Sequence, residues 1–211
     1  MQVLLVAGGS PENWPELQNS YDCYIGIDRG AWYLLQNNFP LDLAIGDFDS
    51  LSVDEKKQVE QAANELIQAP AEKDDTDTQL GLCQAIERYP EATITIIGAT
   101  GGRLDHLLAN LWLPLEPRFK PHAQKIIIWD RQNHVTYYSP GKHVITKMDK
   151  MRYLAYCCLT PVTELSIQKS KYELETTDVS QATSYASNEF VSDTADFSFS
   201  TGMVAVIQSK D

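Results

Sequence analysis

The chain has 211 residues, is 43% hydrophobic and carries a formal net charge of −12. That is enough apolar material for one large or two small domains, and its acidity argues against a nucleic-acid partner, which asks for a basic footprint. No apolar run reaches the ~18 residues of a membrane span, and Met1 leads straight into Val3-Leu4-Leu5-Val6 with no basic n-region, so neither a membrane association nor a signal peptide is expected.

Short apolar runs at 3–6, 24–27, 43–45, 65–68, 93–97 and 126–129 alternate with helical patterns at 29–37, 53–64, 78–89 and 105–113. Ser52 with Glu55, and Thr76 with Gln79, have capping-box spacing at two helix starts. Repeated β-α units build a parallel sheet with helices on both faces. Residues 1–130 are therefore predicted to form a Rossmann-like α/β domain. After Asp130 the helical periodicity stops. Strand-like runs follow at 135–138, 143–146, 152–159, 163–168, 172–174, 196–200 and 203–208, punctuated by Ser139-Pro140-Gly141, Thr160-Pro161 and Thr201-Gly202. Residues 131–211 are predicted to form an all-β domain, a sandwich or a partial barrel. The polar stretch 176–187 reads as a loop.

The four cysteines, Cys23, Cys83, Cys157 and Cys158, form no C-x-x-C pair. They have no zinc-like spacing with His106, His122, His134 or His143. They read as inert thiols of a reducing cytosol, which places the chain in the cytoplasm.

Two aspartate clusters carry the chemistry. Gly46-Asp47-Phe48-Asp49-Ser50 and Lys73-Asp74-Asp75-Thr76-Asp77 each follow an apolar run and precede a helical pattern. In a parallel α/β sheet, ligands bind beyond the carboxyl ends of the strands. If Asp47 and Asp49 stay extended, both carboxylates leave one face and could clamp a cation. An EF-hand is ruled out, because its glycine and glutamate positions hold Ser52 and Gln58. Mg²⁺ suits such acids, since it takes one or two carboxylates and completes its shell with water and phosphate oxygens. Asp28-Arg29-Gly30-Ala31 follows the second run, with Asp28 either a further crevice acid or a simple helix cap. Gly98-Ala99-Thr100-Gly101-Gly102-Arg103-Leu104-Asp105-His106 follows the strongest run. Its glycines can aim N–H groups at phosphate, and Arg103 can add a bidentate contact. The chain has neither a P-loop nor G-x-G-x-x-G, and Gly8-Gly9 alone is too little for the latter.

Taken in order with Asp42–Ser50, Lys171-Tyr172-Glu173-Leu174 and Ser187-Asn188-Glu189-Phe190, these segments resemble the thiamin pyrophosphokinase family, in its bacterial form. The Gly-Asp-Phe-Asp-Ser and Lys-Asp-x-Thr-Asp elements are the specific ones. The resemblance covers nearly the whole chain. It implies a catalytic α/β domain followed by a thiamin-binding β domain, in a homodimer whose sites are shared between subunits. It also implies pyrophosphoryl transfer from ATP to thiamin, giving thiamin diphosphate and AMP. By motif, Asp47, Asp49, Asp74 and Asp77 would form the catalytic phosphate region, with Asp47, Asp49 and Asp77 on Mg²⁺. Asp28, Arg29, Gly30, Gly101, Gly102, Arg103 and Asp105 would lie around ATP. Tyr172, Ser187 and Asn188 would lie near thiamin. Tyr185-Ala186 departs from the glycine and branched residue common before Ser187-Asn188. The rival readings are a pyrophosphokinase acting on a pterin-like alcohol, and a non-catalytic sensor of ATP or thiamin diphosphate.

Overall fold

The computed structural model describes residues 1–17, 20–70 and 74–211, so Lys73 of the second aspartate cluster lies outside the described residues. The chain divides into two compact units, Met1–Arg131 and Gln132–Asp211. No helix among the described residues is long and apolar enough to cross a membrane.

The first unit is built on six strands: β1 (Gln2–Val6), β2 (Cys23–Ile27), β3 (Leu43–Gly46), β4 (Glu65–Gln68), β5 (Thr93–Ile97) and β6 (Ile126–Trp129). They lie in the order β4-β3-β2-β1-β5-β6, and every pairing is parallel. The interior strands β2 and β3 are buried at every residue, as expected where both faces are covered. The helices are α1 (Arg29–Gln36), α2 (Val53–Ala62), α3 (Asp77–Arg88) and α4 (Leu104–Trp112). Both expected capping boxes are present, at Ser52/Glu55 on α2 and Thr76/Gln79 on α3.

Strand alternation sorts the helices onto the two faces. Leu4, Val6, Tyr24 and Ala44 share a core with Ala31 and Leu34 of α1 and Val59 of α2. A methyl at Gly81 of α3 would instead meet Ile27 and Leu5, which point to the opposite face. Strand order reverses between β1 and β5, which opens a crevice beyond their carboxyl ends.

The second unit holds two antiparallel sheets. One contains β7 (Asn133–Tyr138), β9 (Tyr153–Cys158), β14 (Val204–Ser209) and β12 (Thr183–Glu189). The other contains β8 (Gly141–Thr146), β13 (Thr194–Phe199), β10 (Val162–Gln168) and β11 (Leu174–Val179). Alternate residues of β9 and β13 are buried, and both sheets contribute to one core that includes Leu154, Tyr156, Ile167, Phe197 and Val206. The stretch 176–187, expected to be a loop, is mostly the strands β11 and β12. Both stand at the end of their sheet's strand order, where side chains face solvent and polarity is no bar to a strand. The expected strand at 172–174 begins only at Leu174, leaving Tyr172 in the preceding turn.

One glycine fixes how closely α1 approaches the sheet. A methyl on Gly30 would lie 1.9 Å from the carbonyl oxygen of Val6, a backbone atom that cannot yield. Gly30→Ala is therefore expected to cost about 3 kcal/mol of folding stability, at the upper end for overpacking. Chemical denaturation measures this, and an unchanged midpoint would show that α1 can shift without penalty.

Candidate active site

The crevice of the first unit is lined by Ala7-Gly8-Gly9 after β1, Asp28-Arg29 after β2, Asp47 after β3 and Asp75–Thr78 at the start of α3. Gly98-Ala99-Thr100 after β5, with Gly102 and Arg103, completes it. Gly9 donates its N–H to the Gly98 carbonyl at 2.8 Å. A methyl on Gly9 would lie only 2.4 Å from that oxygen, and Gly98 itself has φ +67°. The two loops thus pack backbone on backbone. Gly8-Gly9, too little for a dinucleotide motif, owes its glycine to this approach.

The acids are arranged by two unusual backbone conformations. Asp28 sits at the N-cap of α1 with φ 49° and ψ −120°, yet makes no side-chain capping bond. Its Oδ2 accepts from the Ser50 hydroxyl at 2.7 Å. Its Oδ1 is buried and finds no hydrogen-bond donor among the described residues. Phe48 is buried and has φ 59°, so the chain turns between Asp47 and Asp49 rather than running extended as expected. The Asp49 N–H then donates to Asp47 Oδ1 at 3.0 Å. The turn still converges the acids, because ligand oxygens of Asp28, Asp47 and Asp49 all lie within 4.8 Å of one another. Burial holds the Asp28 carboxyl above its ordinary range. The Asp47 and Asp77 charges push it the same way, against the Ser50 hydrogen bond.

A buried orphan oxygen within a carboxylate trio fits a hard divalent cation, which would satisfy the oxygen and relieve the repulsion together. The set expected for the metal was Asp47, Asp49 and Asp77. Among the described residues the converging trio is instead Asp28, Asp47 and Asp49. Asp77 lines the same crevice but stands apart from the trio, as the first residue of α3. Asp74 is exposed and does not line the crevice.

Around the glycine loop, Thr100 donates to Asp130 at 2.7 Å and Asn110 of α4 donates to the Ala99 carbonyl at 2.9 Å. Neither Asn110 nor Asp130 stood out in the sequence. The available signal was a lone asparagine within the apolar helix α4, where it is buried. Arg103 and Asp105 form a two-pronged ion pair at 2.5 and 3.1 Å, and both are largely exposed. Arg29 donates to the Ser50 carbonyl and lies 3.7 Å from Glu55, so it braces the turn that carries Asp47 and Asp49. Of the expected ATP-side residues, Asp28, Arg29, Gly102 and Arg103 line the crevice. Gly30, Gly101 and Asp105 do not.

Residues 14–128 match the model of the thiamin pyrophosphokinase catalytic domain, and residues 142–204 match that of the thiamin pyrophosphokinase vitamin B1 binding domain. The chain belongs to the thiamin pyrophosphokinase family. It is similar to thiamine pyrophosphokinase of Bacillus subtilis strain 168, at 35% identity over 217 residues covering the whole of both chains. The crystal structure of a thiamin pyrophosphokinase family protein from Enterococcus faecalis superposes with a TM-score of 0.98 at 58% identity, over 100% of each chain. That of thiamin pyrophosphokinase from Geobacillus thermodenitrificans gives 0.86 at 34% identity, over 100% of this chain and 98% of the other.

The thiamin pyrophosphokinase vitamin B1 binding match contains Tyr172, Ser187 and Asn188. Tyr172 is 59% exposed, with the Lys171 ammonium 5.5 Å from its ring centroid. Asn188 is buried; its Oδ1 accepts from the N–H groups of Tyr172 and Glu189, both at 2.9 Å, and its Nδ2 donates to the Tyr172 carbonyl at 2.8 Å. These bonds brace the 170–173 turn. Ser187 has φ 60° and lies in the irregularity between Tyr185 and Asn188 where β12 slips register against β9. All four cysteines are free thiols, and burial pushes each thiol up, that of Cys158 to about 11.

Because the Asp28 carboxyl is raised in the folded state, folding binds its proton more tightly. Its buried charge costs stability above the folded value, and the cost fades as pH falls through that value. In metal-free buffer, Asp28→Asn is expected to melt a few degrees above the wild type at neutral pH, the gain shrinking on acidification. Melting curves that coincide at every pH would show that no charge penalty resides at Asp28.

Proposed function

We propose that this chain transfers a pyrophosphoryl group from ATP to the hydroxyl of thiamin, giving thiamin diphosphate and AMP, with Mg²⁺ as its cofactor. The observation that carries this reading is the coincidence of the two family matches with a carboxylate-lined crevice at the strand-order switch of the first unit. Residues 1–130 act as a Rossmann-like catalytic domain that binds ATP. Residues 131–211 act as a sandwich-like domain that binds thiamin. The thiol state of the cysteines suits a cytoplasmic protein.

Asp28, Asp47 and Asp49 would hold Mg²⁺, which neutralises phosphate charge and orients the chain of phosphates when bound. Asp77 stands across the crevice, where it can bind water or a second cation. The backbone of Gly98–Thr100 and Gly102, with the Arg103 guanidinium, would face the phosphates. The thiamin hydroxyl oxygen forms a bond to the β-phosphorus and gives up its proton to water, the bond from that phosphorus to the α–β bridging oxygen breaks, and AMP leaves with the electron pair. Such a transfer depends chiefly on alignment and charge neutralisation, and a rigid loop with fixed acids supplies both. Tyr172, held by Asn188, offers an exposed aromatic face to the cationic ring of thiamin.

ATP labelled at the β-phosphorus is expected to pass its label to thiamin, with AMP as co-product. Asp47→Asn and Asp49→Asn are each expected to slow turnover at least about a hundredfold, several kcal/mol of transition-state stabilisation. ADP and thiamin monophosphate as first products would refute pyrophosphoryl transfer. Full activity in both variants would refute the acid site. Transfer to pterin alcohols but not to thiamin, or binding without turnover, would favour the rival readings.

We further propose a homodimer in which each site joins the first unit of one subunit to the Tyr172 turn of the other. Its motive is the division of labour: phosphate-facing groups lie before Asp130, and ring-facing groups after it. Inactive Asp49→Asn chains would be refolded together with inactive chains carrying Tyr172→Ala and Asn188→Ala. Random pairing makes about half the dimers mixed, each with one intact site, so roughly a quarter of wild-type activity returns. No recovery, with mixed dimers verified by mass, would exclude shared sites.

A further inference from the structure

Asp75 occupies the variable position of the Lys-Asp-x-Thr-Asp element, yet it lines the crevice beside Thr76 and Asp77. Left free, it would add a further negative charge where three carboxylates already converge and where an anionic nucleotide must enter. It is not free. Arg118 reaches across 43 residues of sequence and grips it with two parallel hydrogen bonds, both 2.7 Å. The same guanidinium donates from Nε to Glu116 at 2.8 Å and lies 4.6 Å from the ring centroid of buried Phe119. Glu116 accepts from the Gln79 amide at 2.7 Å. The Gln79 side-chain oxygen in turn accepts from the Thr76 N–H at 2.7 Å, closing the capping box of α3. Arg118 therefore holds Asp75 directly and the turn at Thr76 through two intermediates. A planar fork fixed on an aromatic ring suits this task better than a lysine, which could not make both bonds in one geometry.

We infer that Arg118 is a positioning residue of this active site: it neutralises Asp75 and locks the 74–77 turn, so that Asp77 faces the crevice without a competing free carboxylate. Neither the Asp-rich elements nor the glycine loop points to it. It lies outside every motif of the sequence, in the irregular segment after α4. The inference rests on the reading of the crevice as the nucleotide site, and its test is kept separate from turnover.

The test is the equilibrium affinity for the magnesium complex of α,β-methylene ATP, which cannot lose AMP. Thiamin-dependent AMP formation is followed alongside it. Arg118→Gln, which removes the charge but keeps a polar amide end, is expected to weaken nucleotide affinity about tenfold, the equivalent of 1.4 kcal/mol. Adding Asp75→Asn to Arg118→Gln is expected to bring affinity back to within about threefold of the wild type, since the uncompensated charge is then gone. The loss in Arg118→Gln should also shrink with added salt, because it is electrostatic. Unchanged affinity in Arg118→Gln, a double variant no better than the single one, or a chain that fails to fold would each overturn the inference. If the wild type binds the analogue but makes no AMP from thiamin, the proposed reaction fails while the role of Arg118 is still decided by the binding series.

Discussion

A buried carboxylate oxygen without a hydrogen bond is the constraint around which the first unit is organised. Asp28 Oδ1 is shut off from solvent, and the Asp28 carboxylate converges with those of Asp47 and Asp49. Burial and like charge both penalise such an arrangement, as the raised Asp28 carboxyl records. Two residues on the same rim, Asp28 and Phe48, also take positive φ, a conformation that costs non-glycine residues on the order of 1–3 kcal/mol each. The surrounding structure has to impose these states. β2 and β3 are fully buried and parallel, and the Asp28 N–H is pinned to the Ile45 carbonyl at 2.8 Å. Arg29 and Ser50 tie the two strand ends together across the gap. Positive φ at two neighbouring strand ends that also bring carboxylates together fits a preorganised site.

The acids that looked equivalent in sequence carry three different loads. Asp28, Asp47 and Asp49 converge without a compensating cation side chain among the described residues. Asp75 and Asp105 are each gripped by an arginine, which depresses both carboxyls. Asp77 takes the first position of α3, where the helix dipole favours a negative charge, and turns toward the crevice. The number of acids in the motifs therefore overstates the unpaired negative charge around the crevice. Pairing trims the acids until the group that remains can be matched by a divalent ion.

The sequence revealed the parts that depend on local pattern. Alternating apolar runs located the six parallel strands, and capping-box spacing located the starts of α2 and α3. The motifs located Asp47 and the glycine loop on the crevice. What it hid depends on distant partners or on unusual backbone. Nothing local says that Phe48 adopts a left-handed conformation, so the geometry of Asp47 and Asp49 was misread. The membership of Asp28 in the trio depends on β2 and β3 being neighbours. The motif that puts Asn188 near thiamin does not reveal its bonds to Tyr172, which cross 16 residues and exist only once β12 is paired. β11 and β12 were missed because a sheet edge leaves no periodic apolar code to read.

On the proposed reading, the crevice has to admit a strongly anionic nucleotide past its acids, and its two arginines are tied down differently. Arg29 is committed to the turn below it, through the Ser50 carbonyl and Glu55. Arg103 is held only by Asp105, two residues away, with side chains 72% and 61% exposed. Solvent screens an exposed pair of this kind, so it holds the guanidinium only weakly. Exchanging Asp105 for a phosphate oxygen therefore costs little, whereas withdrawing Arg29 would loosen the Asp47–Ser50 turn itself. The two arginines divide accordingly: one is scaffold, and the other is free to follow the ligand. Arg103 is the N-cap of α4 and follows the glycine loop that Asn110 and Asp130 hold through Ala99 and Thr100. A rigid loop carrying one weakly tethered cation suits a site that must bind and release a charged phosphate chain at every turnover.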